Sequence, residues 1–287
     1  MESLQIDLHM HSIVSDGTDT PQMILEKVKQ AGIGLFSLTD HDAIKGSAGI
    51  LSFRTTEDPY FIPGVEFSCQ DEKGKYHILG LAYDPQAPSI QEVVDLGHEY
   101  RMRKVRGRMA QVTQEFGYVF PEDEVAKLLQ NDNPGKPHIG NLMVKLGYAQ
   151  SKEQAIREII NKVHFKGEYV RPEEAIRGIL RAGGVPVLAH PSYGSGDQLI
   201  FGEEMDARLK RLIGFGLQGV EAFYSGFTPR IRKEMLNFAE QYDLYITAGS
   251  DYHGRNKLIE LGDTGLAGIP CEKYPRGLKR FLERVLP

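Results

Sequence analysis

Two histidines near the start of the chain have the type and spacing of metal ligands. His9 and His11 alternate with the apolar residues Leu8 and Met10, and this period of two predicts a β-strand. Both imidazoles then leave the end of the strand on the same side, and Asp16 follows five residues later in a polar loop. The arrangement is typical of a metal site, although a surface strand with two incidental histidines would also explain it.

Other histidines and carboxylates recur at or beside the ends of predicted strands. They are Asp40, His41, Glu66, His77, His190, Asp251 and His253. Any one of them could be a buried histidine with a backbone partner or an aspartate that caps a turn. As a set they are poorly explained in that way, because buried charges and imidazoles are costly without partners. Mixed nitrogen and oxygen ligands suit zinc, manganese or iron.

The elements that position these residues alternate between apolar strands and amphipathic helices. Thr20 and Pro21 are suited to the cap and first position of an early helix. Later helices are predicted near 172–182, 203–214, 230–242 and 273–285. The alternation predicts a parallel sheet covered by helices, and polar residues at the carboxyl ends of strands predict a barrel with its site on that face. About seven strands can be counted, so the regular eightfold barrel is not required.

Residues 89–166 interrupt this alternation. Helices are predicted near 89–116, 121–131, 137–147 and 151–163, with no convincing strand between them. The segment is therefore predicted to be a small all-helical insertion domain, and 1–88 with 167–287 would form the barrel domain. Within the insertion, Arg101, Lys104 and Arg108 share one helix face, which is either a solvated surface or a groove for a polyanionic substrate.

Composition is ordinary for a soluble protein, with 287 residues, 41% hydrophobic, 25% charged and a net charge of −5. No apolar run reaches the roughly 18 to 20 residues that a membrane span needs, and the N-terminus lacks the pattern of a signal peptide. We therefore expect a cytoplasmic protein with reduced Cys69 and Cys271 and no membrane contact. The negative net charge argues against a protein that binds along the length of a nucleic acid.

Four motifs resemble those of the PHP family, the polymerase and histidinol phosphatase domains, which are distantly related to amidohydrolases. The motifs are His9-Met10-His11 with Asp16, Thr39-Asp40-His41-Asp42, Ala189-His190-Pro191 and Ser250-Asp251-Tyr252-His253. Glu66 and His77 fill the remaining positions. The resemblance implies an α/β fold, a distorted (β/α)7 barrel of TIM-like type, that holds two or three divalent ions such as Mn²⁺, Zn²⁺ or Fe²⁺.

The resemblance also implies three ligand sets for a trinuclear metal centre. His9, His11, Glu66 and Asp251 would hold the first ion; Glu66, His77 and His190 the second; and Asp16, His41 and His253 the third. Asp40 resembles a residue that orients a histidine ligand from behind.

Clustered divalent ions favour phosphate ester hydrolysis. They lower the pKa of a bridging water, supply hydroxide at neutral pH and neutralise charge on phosphoryl oxygens. The residues expected to take part in catalysis are Glu66, His190 and Asp251. The proton for the leaving oxygen could come from Asp251 or from a histidine at the rim, and the sequence leaves both open.

Several residues are candidates for substrate contact. The segment 135–147 resembles the insertion of stand-alone PHP phosphoesterases, which include 3′,5′-nucleotide bisphosphate phosphatases and a cyclic-phosphate phosphodiesterase. Within it, Lys136 and His138 would bind substrate phosphate, and the alternative is an exposed loop before a helix. Ser192 and Tyr224 are further candidates, although relatives often carry a glycine and a basic residue after the His-Pro motif.

The predicted function is therefore hydrolysis of a phosphate monoester of a small metabolite, with a nucleotide 3′,5′-bisphosphate or monophosphate as the leading substrate. Alternatives on the same barrel are a histidinol phosphatase, a cyclic-phosphate phosphodiesterase and an exonuclease that acts on short nucleic-acid ends. Amide or lactone hydrolysis of the amidohydrolase type and a metal-binding module without catalysis are weaker alternatives. No obligate protein partner is predicted.

Overall fold

The computed structural model describes residues 4–130, 134–163, 165, 167–194 and 198–287. The chain divides into two compact units, of which one comprises Met1–Val94 with Val170–Pro287 and the other comprises Asp95–Tyr169. We call them the α/β unit and the helical unit. The helical unit overlaps the predicted insertion, 89–166.

The first part of the α/β unit contains five strands and two helices. In chain order they are β1 (Ile6–Asp7), α1 (Pro21–Gln30), β2 (Leu35–Phe36), α2 (Lys45–Phe53), β3 (Tyr60–Phe61), β4 (Gly64–Asp71) and β5 (Gly74–Leu81). Thr20 caps α1, since its hydroxyl accepts a hydrogen bond from the Met23 backbone amide, and Pro21 opens the helix as predicted. Helix α2 was not expected from the sequence.

Helix α3 (Pro88–Phe116) leads into the helical unit, whose other helices are short. They are α4 (Glu122–Leu129), α5 (Lys136–Lys145), α6 (Lys152–Ala155) and a π-helical turn, Ile156–Ile160. A core of aliphatic and methionine side chains, including Met109, Val112, Met143 and Ile160, holds the described part of this unit together.

The second part of the α/β unit returns to alternating helices and strands. It contains α7 (Pro172–Arg181), β6 (Val185–Leu188), α8 (Gly202–Phe215), β7 (Gly219–Tyr224), α9 (Pro229–Gln241), β8 (Tyr245–Gly249) and α10 (Arg276–Val285). Single 3₁₀ turns lie at Gly254–Asn256 and Cys271–Lys273. Among the helices of the described ranges, none combines the length and the hydrophobicity that a membrane span requires.

The strands form two sheets in a mixed α/β fold. Parallel strands β1, β2 and β3 form one sheet, and the other has the order β4-β5-β6-β7-β8. The expectation of a wholly parallel sheet is wrong for this second sheet, because β5 runs antiparallel to both β4 and β6. A two-residue turn at Glu72 and Lys73 reverses the chain, and Gly74 supports it with a φ of +147°, which L side chains rarely adopt. The described strands show no closed barrel.

Backbone contacts beyond the strand ends connect the two sheets. The Leu8 amide donates to the Ala248 carbonyl at 2.8 Å, and the Asp251 amide donates to the His9 carbonyl at 2.7 Å. A parallel bridge joins His41 to Glu66. The segments that follow β1 and β2 therefore contact β8 and β4, the two edge strands of the second sheet.

Candidate metal centre

Six histidines and three carboxylates converge where these segments meet. Together they form four overlapping groups in which one ligand atom from each residue lies within 4.8 Å of the others. The groups are His9, His11 and Asp251; His9, Glu66 and His190; His41, Glu66 and His77; and His11, Asp16, His41 and His253. Every ligand predicted from the sequence occurs in at least one group.

Glu66 lies at the middle of this arrangement. Its Oε1 is 2.9 Å from His77 Nδ1 and 3.2 Å from His190 Nε2, while its Oε2 is 3.3 Å from His9 Nε2 and 3.2 Å from His11 Nε2. Oε2 also lies 3.1 Å from His41 Nδ1, so the two oxygens face different sets of imidazoles, and Glu66 would be a ligand shared by two ions.

Asp16 brings the loop after β1 to a second side of the centre. Its Oδ1 is 3.2 Å from His253 Nε2 and 3.7 Å from His11 Nδ1, and its Oδ2 is 4.0 Å from His41 Nε2. His11 and His253 stack with ring centroids 4.1 Å apart. The carboxylate is largely exposed, so this group is open to solvent on the Asp16 side.

The backbone is strained at two of these positions. His190 has a φ of 25° and Asp251 a φ of 60°, values that residues other than glycine rarely adopt. Such conformations cost about 1–3 kcal/mol each and persist where the surrounding structure imposes them, often at functional sites.

The carboxylates and imidazoles of the centre shift each other's pKa values. Burial opposes the charge of His11, but Asp251 and Glu66 outweigh it and raise the pKa of His11 to about 9. Burial also opposes the charge of Glu66, yet His41, His9 and His77 lower the pKa of Glu66 well below its ordinary value. Burial lowers the pKa of His41 to about 4. His9 and His11 likewise lower the pKa of Asp251 against its burial, so the ionised forms of Glu66 and Asp251 are both favoured.

The donor set fits divalent metal ions. Within the described residues, the buried atoms His9 Nε2, His11 Nε2 and Glu66 Oε2 have no hydrogen-bond partner. Unpartnered buried donors and acceptors are rare and costly, and a cation among them would satisfy all three. Imidazole nitrogens with carboxylate oxygens are ligands for zinc, manganese and iron.

Glu221 is a functional candidate that the sequence reasoning missed. It is fully buried on β7; its Oε1 is 3.0 Å from His9 Nδ1, and its Oε2 accepts the His190 amide at 2.8 Å. A Cβ on Gly249 would overlap both His9 and Glu221, which explains a glycine at the end of β8. The signal was an acidic residue between Val220 and Ala222 inside an apolar strand.

Asp7 is a second buried acid that was overlooked. Its Oδ1 accepts the Ser250 amide at 2.9 Å and its Oδ2 accepts the Gly262 amide at 2.8 Å. Burial raises the pKa of Asp7 to about 6, against these hydrogen bonds, which lower it. Asp7 therefore ties β1 to the segment that carries Asp251.

Asp251 has different neighbours on its two oxygens. Oδ1 faces His9 Nε2 at 3.5 Å and His11 Nε2 at 3.3 Å. Oδ2 accepts the Tyr224 hydroxyl at 2.9 Å and the Lys257 ammonium at 2.6 Å. Tyr224 thus contacts a predicted ligand, and Lys257 is a residue that the sequence analysis did not single out.

Two other predicted residues lie behind the centre. Asp40 accepts hydrogen bonds from the Ser12 amide and hydroxyl and from the Ser15 hydroxyl, at 2.7 to 2.8 Å. Asp40 therefore fixes the loop between His11 and Asp16. It supports these predicted ligands through the loop, and not through the expected contact with a histidine ring. Ser192 is fully buried, and its hydroxyl has no hydrogen-bond partner in the described ranges.

Lys136 and His138 lie in the helical unit, in the first turn of α5. The Lys136 ammonium donates to Asn161 Oδ1 at 2.6 Å, and the Gly135 amide donates to His138 Nδ1 at 3.2 Å. Burial and the charge of Arg101 lower the pKa of His138.

The basic face of α3 is half-buried, and its lysine stacks on an aromatic ring. Arg101, Lys104 and Arg108 all have intermediate exposure. The Lys104 ammonium lies 3.4 Å from the centre of the Tyr169 ring. The three residues therefore do not form a fully solvated surface.

Comparison with curated proteins identifies relatives along most of the chain, whereas no protein-family model matches it. A phosphoribosyl 1,2-cyclic phosphate 1,2-diphosphodiesterase from Eggerthella lenta is 30% identical over 262 residues, 87% of this chain and 94% of that protein. The 5′-3′ exoribonuclease Rnm of Salmonella typhimurium is 29% identical, over 89% of this chain and 87% of its own. A 3′,5′-nucleoside bisphosphate phosphatase from Chromobacterium violaceum is 28% identical, over 86% and 87%.

Solved structures also match most or all of the chain. A metal-dependent phosphoesterase from Bifidobacterium adolescentis matches with a TM-score of 0.76 and 25% identity, over 100% of this chain and 98% of that one. An amidohydrolase from Chromobacterium violaceum, with bound sulfate, matches with a TM-score of 0.72 and 26% identity over 90% of each chain. With its ligand groups and these relatives, the chain belongs to the PHP family of metal-dependent phosphoesterases.

Proposed function

We propose that the protein hydrolyses a phosphate monoester of a small metabolite, with a nucleotide 3′,5′-bisphosphate or monophosphate as the first candidate substrate. The observation that carries the proposal is the convergence of nine potential ligands, with the buried Glu66 in the middle of them. A site that gathers several divalent ions is suited to a reaction in which negative charge builds up on phosphoryl oxygens.

In the proposed site, His9, His11, Glu66 and Asp251 would hold one ion, and Glu66, His77 and His190 would hold another. Asp16, His41 and His253 would hold a third. Bound Mn²⁺, Zn²⁺ or Fe²⁺ would supply an activated water and neutralise phosphoryl charge. Glu66 fixes the spacing of the ligand groups, and Glu221 holds the His9 ring and the His190 backbone in position.

The leaving oxygen must also receive a proton. Asp251 and a histidine at the rim are the candidates from the sequence. Burial opposes the charge of Asp251, but His9 and His11 lower the pKa of Asp251 well below its ordinary value. His9 and His11 would be neutral once they hold an ion, so this shift does not decide between the two candidates.

The relatives support the substrate class in different ways. The proteins from Eggerthella lenta, Salmonella typhimurium and Chromobacterium violaceum are named for a cyclic phosphate, RNA and a nucleoside bisphosphate. All three substrates are phosphate esters of ribose, which supports a ribose phosphate for this chain. A cyclic-phosphate phosphodiesterase and an exonuclease acting on short nucleic-acid ends are therefore second candidates.

We also propose that the two sheets are parts of one distorted (β/α)7 barrel, and that the helical unit is an insertion in it. The backbone bonds that join the segments after β1 and β8, and the bridge between His41 and Glu66, support the barrel. Lys136 and His138 remain candidates for binding substrate phosphate because both lie in the first turn of α5, where backbone amides favour anions.

A phosphate-release screen with added Mn²⁺ tests the proposed function. The panel contains nucleoside monophosphates, 3′,5′-bisphosphates, histidinol phosphate, cyclic phosphates and short oligonucleotides. We expect the fastest release from a nucleotide monoester, and no release after the metal has been removed with a chelator. Turnover of an amide or lactone, with no reaction on any phosphate ester, would contradict the proposal.

A further inference from the structure

Lys257 places a cation at the edge of the candidate metal centre. Its ammonium donates to Asp251 Oδ2 at 2.6 Å, and the side chain is 39% exposed. Asp251 itself is almost completely buried, and its other oxygen faces His9 and His11. The lysine therefore reaches from solvent to the outer side of a predicted ligand.

The position of Lys257 is fixed by the loop that carries it. The Asn256 side-chain amide donates to the Asp16 carbonyl at 2.7 Å, and the Arg255 backbone amide donates to the Thr18 hydroxyl at 2.9 Å. These bonds hold the 3₁₀ turn before Lys257 against the loop of another predicted ligand. The lysine is thus placed by two segments of the centre.

The hydrogen-bonding capacity of Lys257 is not exhausted by this pair. An ammonium group has three donors, and Asp251 is the one acceptor recorded for Lys257 among the described residues. Since the side chain is partly exposed, its other donors are open to solvent at the edge of the centre. In the sequence, residues 191–201, which follow His190, include no lysine or arginine that could supply a cation instead.

We propose that Lys257 contacts the substrate by donating to a phosphoryl oxygen of the ester bound at the metal centre. This inference rests on the proposed phosphoesterase function. In phosphoryl transfer the charge is spread over three equatorial oxygens, and a fixed cation beside one of them stabilises both the bound phosphate and the transition state. Asp251 positions the ammonium for this contact.

Binding of inorganic phosphate by the Mn²⁺-loaded protein tests this contact without turnover. Lys257→Met should weaken phosphate binding in calorimetry by about 10- to 100-fold, the range for a hydrogen bond to a charged group. Lys257→Arg should retain most of the affinity. Lys233→Met, the same change at an exposed position on α9, is the matched control and should bind phosphate like the unchanged chain.

A Mn²⁺ titration of the same variants separates substrate contact from support of Asp251. We expect Lys257→Met to bind Mn²⁺ at least as tightly as the unchanged chain, because a competing cation has been removed from Asp251. The proposal is overturned if the variant keeps its phosphate affinity, or if it loses Mn²⁺ in proportion to phosphate. Lys257→Gln serves in the same tests if the methionine variant does not fold.

Failure of the proposed function would look different. In that case the unchanged chain would release no phosphate from any ester, whatever the phosphate affinity of the Lys257 variants. Failure of the inference about Lys257 would instead appear as equal phosphate affinity in the unchanged chain and Lys257→Met.

Discussion

Glu221 shows how a single buried side chain can set the chemistry of the residues in front of it. When His9 donates its Nδ1 proton to Glu221 Oε1, its Nε2 keeps a free electron pair on the side of Glu66 and Asp251. The second oxygen of Glu221 accepts the amide of His190, which has a strained backbone. Both contacts require an acceptor on Glu221.

Replacement of Glu221 by glutamine should therefore damage metal binding without changing the size of the side chain. The amide NH₂ must face either His9 or the His190 amide, and each of them is a donor in the metal-binding arrangement. We expect Glu221→Gln to weaken Mn²⁺ binding by about 10- to 100-fold, the usual effect of losing such a partner, as measured by calorimetric titration.

The matched control for this experiment is Glu203→Gln, which makes the same chemical change at an exposed position in the first turn of α8. It should leave Mn²⁺ affinity unchanged. An unaltered affinity in Glu221→Gln would show that Glu221 does not control the His9 ring.

At the scale of elements, the sequence predicted the regular helices well. Helices α7, α8, α9 and α10 lie within a few residues of their predicted ranges, because their apolar residues repeat with the helical period and Pro172 and Pro229 open two of them. The strands were harder, since β1 contains only Ile6 and Asp7 and the two histidines lie beyond it. Strands β4 and β5 form an antiparallel hairpin, which the expected parallel sheet did not include.

The reason is that periodicity reports which residues are buried but not which strand lies beside which. Pairing of Gly64–Asp71 with Gly74–Leu81 depends on a turn of two polar residues. The same limit explains why Glu221 and Lys257 were overlooked: neither has a spacing that marks it as a partner of His9 or Asp251. Such contacts arise only when distant strands meet.

The connection between α1 and β3 leads to a prediction about acid stability. Asp58 Oδ1 pairs with the Lys29 ammonium at 2.7 Å, and its Oδ2 accepts the Thr55 amide at 2.7 Å. These bonds lower the pKa of Asp58 from 3.8 to about 2, with the Lys29 contact as the largest cause. The folded state therefore favours the ionised form, so the stabilisation is complete above pH 4 and is lost as the pH falls toward 2.

We expect Asp58→Asn to be less stable than the unchanged chain at pH 5, and the difference to shrink between pH 4 and pH 2.5. Urea unfolding across this range measures the difference in unfolding free energy. Glu57→Gln, at the exposed neighbouring position, should show no such convergence. A difference that is independent of pH would contradict the assignment of the stabilisation to the Asp58 charge.

At the scale of the whole molecule, the family and the general chemistry were predictable because the ligand residues lie in short motifs. His9 and His11, Asp40 and His41, and Asp251 and His253 are each close in sequence, so their pattern is visible without a structure. The residues that tune and complete the centre are isolated in sequence. The substrate is harder still to predict from the sequence, since relatives that are similarly identical to this chain are named for three different ribose phosphates.

The central claim is that Glu66 bridges a centre with more than one divalent ion. The most direct test is the number of Mn²⁺ ions bound per chain, measured by elemental analysis after saturation and gel filtration, in the unchanged protein and in Glu66→Gln. We expect at least two ions in the unchanged chain, with loss of at least one in Glu66→Gln and no loss in Glu203→Gln. Binding of one ion or none, or a stoichiometry that Glu66→Gln leaves unaltered, would contradict this account.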